Sequence, residues 1–200
     1  MTLPRILIGV GLVVNLAACA SSPVVQKLES TSRTLGPFVY YEEGSRVLIT
    51  VGTNATRQRP EEPYFPIEIG IANKQHRDVI RVTREMFTMQ VADGEEIHVA
   101  TAPEIISGYK PVNADRLLFN SRQWTGMYFD RYRPVPSRFY PNSQRRSGLV
   151  QEMVELGSGT FFQDILYFKN PGFSLSGQVL RLLIYLRAGE DPIALTFKVE

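Results

Sequence analysis

The chain has 200 residues, of which 44% are hydrophobic, so it is long enough to bury a core as one domain of ordinary size. Its 22 Lys and Arg against 20 Asp and Glu give a net charge of +2, which offers no overall electrostatic basis for binding nucleic acid. Two His and one Cys exclude a zinc ribbon, a zinc finger and a disulfide framework.

The first 18 residues have the organisation of a secretory signal peptide. A short basic segment ending at Arg5 precedes an apolar run from Ile6 to Leu16. As a helix this run would span only about 16 Å, against a bilayer core of about 30 Å. Small residues follow at once, which is typical of a cleavage site. The sequence therefore predicts a signal peptide over residues 1–18 and no membrane-spanning helix there.

The end of this segment, Leu16-Ala17-Ala18-Cys19, resembles the lipobox of bacterial lipoproteins. In that family, cleavage between Ala18 and Cys19 leaves an amino-terminal Cys with a diacylglycerol on its thiol and an acyl chain on its amino group. The resemblance implies these lipids on Cys19, which anchor stably because two or more chains are buried. We expect no other cofactor. An ordinary signal peptide with an incidental or buried Cys is the alternative.

The residue after the Cys favours the outer membrane. Ala20 stands where an Asp would resemble the inner-membrane retention signal, so the resemblance implies an outer-membrane anchor with the domain facing the periplasm. Residues 19–36 follow as a Ser- and Thr-rich stretch, which predicts a lipidated Cys and a flexible tether reaching roughly 20 to 25 Å. The lipid consumes the one Cys, so packing alone must stabilise the exported domain.

From residue 37 to the chain end, over residues 37–200, the pattern is that of short β-strands separated by turns. Ile67, Ile69 and Ile71 alternate with Glu68 and Gly70, which predicts a half-buried strand. The other predicted strands are 46–51, 79–82, 87–91, 97–99, 150–156, 161–169, 179–187 and 193–200. Residues 160–163 also fit a helix capping box, although the aromatic density around them favours a strand.

The register of one hairpin follows from its turn. A two-residue Asp93-Gly94 loop would place polar residues opposite apolar ones. A three-residue loop, 92–94, pairs Met89 with Ile97 and Phe87 with Val99, and it puts Gly94 at the left-handed position of a bulge. We therefore predict the three-residue loop.

Seven or more short strands predict an all-β fold, an antiparallel β-sandwich. We expect under one-fifth helix, mostly around Asn113 to Asn120, and one long insertion over residues 103–148. The strand order, with Asp93-Gly94 between early strands and Pro171 after a late aromatic strand, looks like the immunoglobulin-like domains of exported bacterial lipoproteins. The resemblance implies an immunoglobulin-like sandwich whose function is unknown.

No motif for catalysis or metal binding appears in the chain. Nucleophile elbows, zinc-protease helices, phosphate loops and calcium loops are all missing from the sequence. His76 falls in a polar turn, and His98 is predicted to point away from the apolar face formed by Ile97 and Val99. We therefore predict no catalytic residue and no metal site.

One segment has an unusual composition. Between Arg116 and Arg146 there are seven Arg, no Lys and a single acid, Asp130, interleaved with aromatic residues and prolines. Arg with Tyr and Trp is typical of recognition surfaces. The candidate contact residues are Arg122, Trp124, Arg131, Tyr132, Arg133, Arg138 and Phe139. The alternative is an aromatic-packed loop that closes one end of the sandwich and leaves its Arg side chains solvated.

These features predict a non-enzymatic binding or assembly module of the cell envelope. Its partner besides the membrane would be anionic: a lipid head group, a cell-wall polymer or an acidic envelope protein. The export signal argues against nucleic acid. The alternative is a structural accessory lipoprotein of a secretion or envelope-assembly machine. An envelope hydrolase ranks third, because no nucleophile and base are paired in the sequence.

Overall fold

A computed structural model describes residues 32–121, 128–141, 150–172, 174–187 and 189–199. The predicted signal peptide, Cys19, most of the predicted tether, Arg122 and Trp124 lie outside these residues. The strands are β1 (Arg33–Gly36), β2 (Val39–Glu43), β3 (Val47–Gly52), β4 (Tyr64–Asn73), β5 (Ile80–Thr83), β6 (Phe87–Gln90), β7 (Glu96–His98), β8 (Arg133–Pro134), β9 (Met153–Leu156), β10 (Thr160–Lys169), β11 (Val179–Ile184) and β12 (Ile193–Lys198). The helices are α1 (Asn54–Arg57), α2 (Ala102–Gly108) and α3 (Val112–Asn120).

The strands form three sheets in the described part of the chain. A six-stranded sheet has the order β1-β2-β3-β4-β10-β8, and a four-stranded sheet has the order β12-β11-β6-β7. A small third sheet pairs β5 with β9. All pairs are antiparallel except β8 with β10, and the helices are short, so the predicted all-β class is confirmed. No helix in the described ranges is long and apolar enough to cross a membrane.

The core lies between the two larger sheets. Ile69 of β4 and Leu182 of β11 belong to one buried apolar cluster. Tyr40 of β2 reaches across to β12, where its ring lies 5.7 Å from that of Phe197 and its hydroxyl donates to the carbonyl oxygen of Lys198 at 2.7 Å. Side chains that alternate along each strand therefore fill the space between the sheets.

The prediction of a half-buried strand at 67–71 is wrong. β4 pairs with β3 on one side and β10 on the other, and all its residues from Phe65 to Asn73 are buried. Even Glu68 is fully buried, beside Gly52, where a Cβ would lie 2.7 Å from a carboxylate oxygen of Glu68. The alternation correctly predicts a strand. It does not predict that the second face is buried as well, because the residues that cover this face come from distant segments of the chain.

The predicted hairpin register is confirmed. Met89 pairs with Ile97, the N–H of Gly94 donates to Val91, and Gly94 has a φ of 89°, which glycine adopts at little cost. The ladder ends at His98, because Val99 forms a bridge with Phe168 of β10 rather than the predicted pair with Phe87. This bridge brings the edge of the four-stranded sheet against the six-stranded one.

Several segment boundaries differ from the sequence predictions. The tether was predicted to reach Gly36, but Arg33–Gly36 form the edge strand β1, whose half-buried and exposed side chains give no apolar period. The predicted strand 150–156 begins only at Met153, and the predicted strand 179–187 ends at Ile184. Residues 160–163 lie in β10, so the capping-box alternative is wrong there.

The insertion carries more structure than predicted. The expected helix around Asn113 to Asn120 is confirmed as α3, but α2 precedes it. A capping box begins α2, in which Thr101 accepts from the N–H of Glu104 and the Glu104 carboxylate accepts from the N–H of Thr101. The spacing of Thr101 and Glu104 is the sequence pattern of such a capping box.

Asp164 ties the insertion to the six-stranded sheet. It interrupts the apolar strand β10 and is fully buried. Its carboxylate forms an ion pair with Arg116 of α3 and accepts a 2.7 Å hydrogen bond from the backbone N–H of Phe139. A buried charge is costly without partners, so these contacts fix α3 and the chain around Phe139 relative to β10.

We predict that Asp164→Ala lowers the free energy of unfolding by roughly 3–5 kcal/mol, because it leaves the Arg116 charge and a buried N–H without their partner. Asp78→Ala is the control, since Asp78 pairs with Arg187 at 3.3 Å and both side chains are 52% exposed. That change should cost under about 1 kcal/mol. Urea denaturation measures both, and equal losses would contradict the anchoring role of Asp164.

Candidate functional site

Of the predicted recognition segment, Tyr128, Phe129 and Tyr132 lie on the outer face of the six-stranded sheet, opposite the core. A second apolar cluster there contains Phe129 with residues of β3 and β4. We call this surface the arginine–aromatic face. Its members are Arg33, Tyr41, Tyr128, Phe129, Tyr132 and Phe161, together with Arg131 in the turn between Phe129 and Tyr132.

Residues 128–133 cross this face from one side of the sheet to the other. Tyr128 stacks on Tyr41 of β2 with the ring centroids 6.2 Å apart. Phe129 stacks on Phe161 of β10 at 4.6 Å with the rings nearly parallel, at 4°. Arg133 then begins β8, the edge strand beyond β10. The aromatic contacts therefore form a row that spans most of the sheet's width.

Gly70 of β4 provides the seat for Phe129. A Cβ at Gly70 would lie 2.8 Å from the ring carbon Cε2 of Phe129 and 2.6 Å from Oγ1 of Thr50. The ladder places Gly70 opposite Thr50 of β3 and Gln163 of β10, so this recess lies in the middle of the sheet. The missing side chain lets the Phe129 ring sink to 2% exposure. The turn that follows Phe129 is thereby held against the sheet.

Arg131 and Arg133 are exposed, and Tyr132 between them is half-buried. The register pairs Pro134 with Phe161 and Arg133 with Thr160, so the Arg133 side chain leaves the edge strand β8 on the side away from Phe161. The turn is closed by a 2.9 Å hydrogen bond from the N–H of Tyr132 to the carbonyl oxygen of Phe129. At the opposite edge, the guanidinium of Arg33 lies 5.9 Å from the ring centre of Tyr41. The face therefore presents exposed Arg side chains at both ends of a row of aromatic rings.

The prediction that Phe139 contacts a partner is wrong. Its side chain is fully buried and packs edge-on against Phe162, with the ring centroids 5.7 Å apart. Beyond β8 the chain continues along β10, where Ser137 donates to the carbonyl oxygen of Gln163 at 2.6 Å, and this path turns Phe139 into the core. Arg138 is half-buried. The packed-loop alternative thus describes Phe139, while Arg131 and Arg133 stay accessible.

A buried polar cluster lies under α3. The fully buried carboxylate of Asp115 accepts from the hydroxyl of Tyr109 at 2.6 Å and from Nε of Arg59 at 3.0 Å. Burial raises the pKa of Asp115, and the bonds from Tyr109 and Arg59 oppose that rise. Burial also raises the pKa of Tyr167, which packs against Tyr109 at 5.1 Å. The carboxylate oxygens of Asp115 are bonded and shielded from water. Since Arg59 and Tyr109 lie outside α3, these bonds hold the helix in place.

The sequence analysis missed Asp115 and Asp164. Asp164 carried a signal, since it is the one acid inside the apolar run 161–168, and a charge at such a position needs a buried partner. Asp115 carried none, because an acid in the first turn of a helix is ordinarily solvated there and favoured by the helix dipole.

A cleft of about 560 Å³ lies beside the edge strand β7. It is lined by Tyr64, Glu95, Glu96, Ile97, His98, Val99, Ala100, Glu104, Lys169, Asn170 and Pro171. His98 is exposed while Ile97 is buried, as predicted. In the part of the chain that the structure describes, no group of three or more His, Cys, Asp or Glu is placed to hold a metal ion.

Comparison with known proteins gives two similar solved structures. The yjhA protein of Bacillus subtilis matches with 11% identity and a TM-score of 0.43, over 80% of this chain and 96% of that one. A candidate lipoprotein (ycdA) of Bacillus subtilis subsp. subtilis str. 168 matches with 8% identity and a TM-score of 0.38, over 79% of this chain. The match covers only 38% of the ycdA chain. No family model and no curated protein matches.

We predict that Gly70→Ala lowers the free energy of unfolding by about 1–3 kcal/mol, because the new methyl overpacks the seat of Phe129. In a Phe129→Leu background the cost should shrink, with a coupling between the two sites of at least about 0.5 kcal/mol. Gly157→Ala is the control, since a Cβ there meets no atom within 4 Å. Thermal denaturation measures all four variants, and purely additive losses would contradict the proposed contact.

Proposed function

We propose that this protein is a lipid-anchored lipoprotein of the cell envelope whose sandwich acts as a non-enzymatic binding module. The observation that carries the proposal is the arginine–aromatic face. Arg131 and Arg133 are exposed on a segment whose neighbours Phe129 and Phe139 are fixed in apolar clusters. A surface built in this way presents positive charge in a defined arrangement.

The leader supports the anchor. Leu16-Ala17-Ala18-Cys19 and the apolar run before it resemble a lipobox, so we place diacylglycerol on the thiol of Cys19 and an acyl chain on its amino group. With Ala20 next, the proposed location is the outer membrane, with the domain facing the periplasm. Each methylene of the three acyl chains that is buried in the bilayer contributes about 0.8 kcal/mol to the free energy of membrane binding. The three chains together therefore hold the protein at the membrane without a spanning segment.

The face suits an anionic partner that binds by charge and hydrogen bonding. A guanidinium presents a planar fork of N–H donors that matches carboxylate and phosphate groups. Pro134 and Pro136 restrict the backbone beside Arg133, and Phe129 fixes it on the other side, so little conformational entropy is lost on binding. These features favour recognition by a preformed surface.

Two of the buried acids, Asp115 and Asp164, support binding over catalysis. Asp115 and Asp164 are fully buried, and Arg59, Tyr109, Arg116 and the N–H of Phe139 occupy their oxygens. A general base needs to reach a substrate proton at hydrogen-bonding distance. Both carboxylates are instead committed to holding the insertion on the sheet.

A second function, that of a structural accessory lipoprotein in a secretion or envelope-assembly machine, is favoured by the cleft beside β7. This strand has three residues and ends the four-stranded sheet, with Glu96 and His98 exposed along it. An extended segment of another protein can add to such an edge through backbone hydrogen bonds. A discrete protein complex co-purifying from envelope extract would support this function.

We predict that Cys19→Ala abolishes incorporation of labelled palmitate and removes the protein from the outer-membrane fraction, because no other side chain in the sequence can carry the thioether. Ser21→Ala is the control, since it changes a neighbouring residue and keeps the thiol. The measurements are metabolic labelling and membrane fractionation. A Cys19→Ala protein that is still cleaved and still recovered with outer membranes would refute the anchor.

We predict that Arg131→Glu with Arg133→Glu weakens retention of the partner from envelope extract, and that retention by the wild-type protein falls steeply as salt rises. The same charge change at Arg77 and Lys110, both exposed and outside the face, is the control. Both double variants should keep the wild-type melting temperature. Unchanged retention by the Arg131 and Arg133 variant would refute the segment 131–133 as the contact surface.

A further inference from the structure

We propose that the cleft beside β7 binds a basic extended segment of another envelope protein, which adds to β7 as a further strand of the four-stranded sheet. Such a segment carries basic and apolar residues in alternation. This inference rests on the second function proposed above, that of an accessory lipoprotein, and it specifies the chemistry of the partner that this function requires.

The backbone of β7 has an open side. The N–H of Val91, at the end of β6, donates to the carbonyl oxygen of Glu95 at 3.0 Å. Because the residues that bond to a neighbouring antiparallel strand alternate along the chain, the backbone of Glu96 is directed away from β6. Ala100 follows the same alternation, since its N–H donates to Tyr167 of β10 at 2.7 Å on that side.

β10 covers only one end of this open side. Among the described residues, Val99 and Phe168 form an isolated bridge, beyond which a cleft of about 560 Å³ opens between residues 95–98 and residues 169–171. This volume lies in the usual range for binding clefts. An extended segment along residues 95–98 takes the position that β10 holds beside Ala100. It finds the N–H and the carbonyl oxygen of Glu96 directed towards it.

The charges that line the cleft select a basic segment. The carboxylates of Glu95, Glu96 and Glu104 line it together with Lys169. Hydrogen bonds from Thr101, and to a smaller degree the charge of Lys169, hold the pKa of Glu104 below its usual range. Lys169 is thus compensated inside the cleft by Glu104, and the exposed carboxylates of Glu95 and Glu96 are available to a partner.

The acidic surface continues past one end of the cleft. Asn170 lines both the cleft and a second recess, to which Glu61 and Glu62 contribute two more carboxylates. None of the described residues that line this recess is basic. At the other end of the cleft, Arg84 and Glu85 line a smaller cavity in which their charges offset each other. A basic segment therefore meets net negative charge along the cleft and the recess.

The two faces of β7 predict the alternation in the partner. Ile97 is buried, whereas Glu96 and His98 are exposed. In an added strand, the residue opposite Glu96 lies on the same face as Glu96, and the next residue lies on the face of Ile97. A Lys or Arg at the first position forms a cross-strand pair of opposite charge. An apolar residue at the second position packs beside Ile97, where Tyr64 and Val99 also line the cleft.

The test titrates the complete lipidated protein, in micelles of a zwitterionic detergent, with a fluorescent synthetic peptide in which Lys and Val alternate. One control peptide has the same composition with Lys and Val in separate blocks, and another alternates Glu with Val. Fluorescence anisotropy measures binding. We expect the alternating Lys peptide to bind most tightly, the block peptide to bind more weakly, and the Glu peptide not to bind.

Two substitutions at one position separate charge from backbone. Glu96→Ala removes the carboxylate and should weaken binding by up to about fivefold. Glu96→Pro also removes the N–H, which points to the open side where Pro is tolerated, and should weaken binding a further twofold to tenfold or so, about one hydrogen bond. Glu152→Ala, an exposed acid outside the cleft, is the control. In the wild-type protein, bound peptide should slow hydrogen exchange at the Glu96 amide.

Each alternative gives a different result. Equal affinity of Glu96→Ala and Glu96→Pro, with unchanged exchange at the Glu96 amide, would overturn strand addition. Equal binding of the alternating and block peptides would also overturn the proposal, because attraction by charge alone needs no added strand. Self-association of the chain that competes with the peptide and is lost in Glu96→Pro would assign the edge to a second copy.

Co-purification separates this inference from the function on which it rests. A discrete envelope complex that forms equally well with Glu96→Pro would support the accessory function and overturn the cleft as its contact. Peptide binding as expected, with no envelope complex recovered from extract, would support the cleft and refute the accessory function. The anchor is tested independently, by palmitate labelling of Cys19.

Discussion

The contact between Phe129 and Gly70 is the constraint on which the exposed surface of this protein depends. Burying a Phe ring contributes about 1.5–3 kcal/mol, and here it does so only because β4 has no side chain at the contact point. Asp164 fixes the same segment further along through Arg116 and the N–H of Phe139. Between these two attachments the chain has little freedom, and Arg131 and Arg133 project from it with their positions determined.

In the described part of the insertion, Arg116 has a different role from Arg131 and Arg133, and their surroundings explain the difference. Arg116 is almost buried and pairs with Asp164, as Arg59 from outside the insertion pairs with Asp115, so these guanidinium groups compensate buried carboxylates. Arg131 and Arg133 have the same chemistry but lie on the outer surface. Composition alone could not distinguish these roles, because the acids that capture Arg59 and Arg116 lie far from them or in another element.

A structural feature was predictable from the sequence when the interaction that determines it is local in the chain. The β6–β7 register was predictable, since a three-residue loop and Gly94 determine it. β1 was not, because an edge strand pairs through its backbone and its side chains need no apolar pattern. The burial of Glu68 and Phe139 depends on segments far along the chain, which neither period nor composition reveals.

The two lateral edges of the sandwich differ in what they expose. Arg33 lies where β1 meets β12, as the bond between Ser32 and Thr196 requires. At the other edge, where β7 meets β10, the cleft is lined by Glu95, Glu96 and Glu104 together with Lys169. Carboxylates outnumber basic groups there, so the cleft disfavours an anionic partner and favours a cationic one.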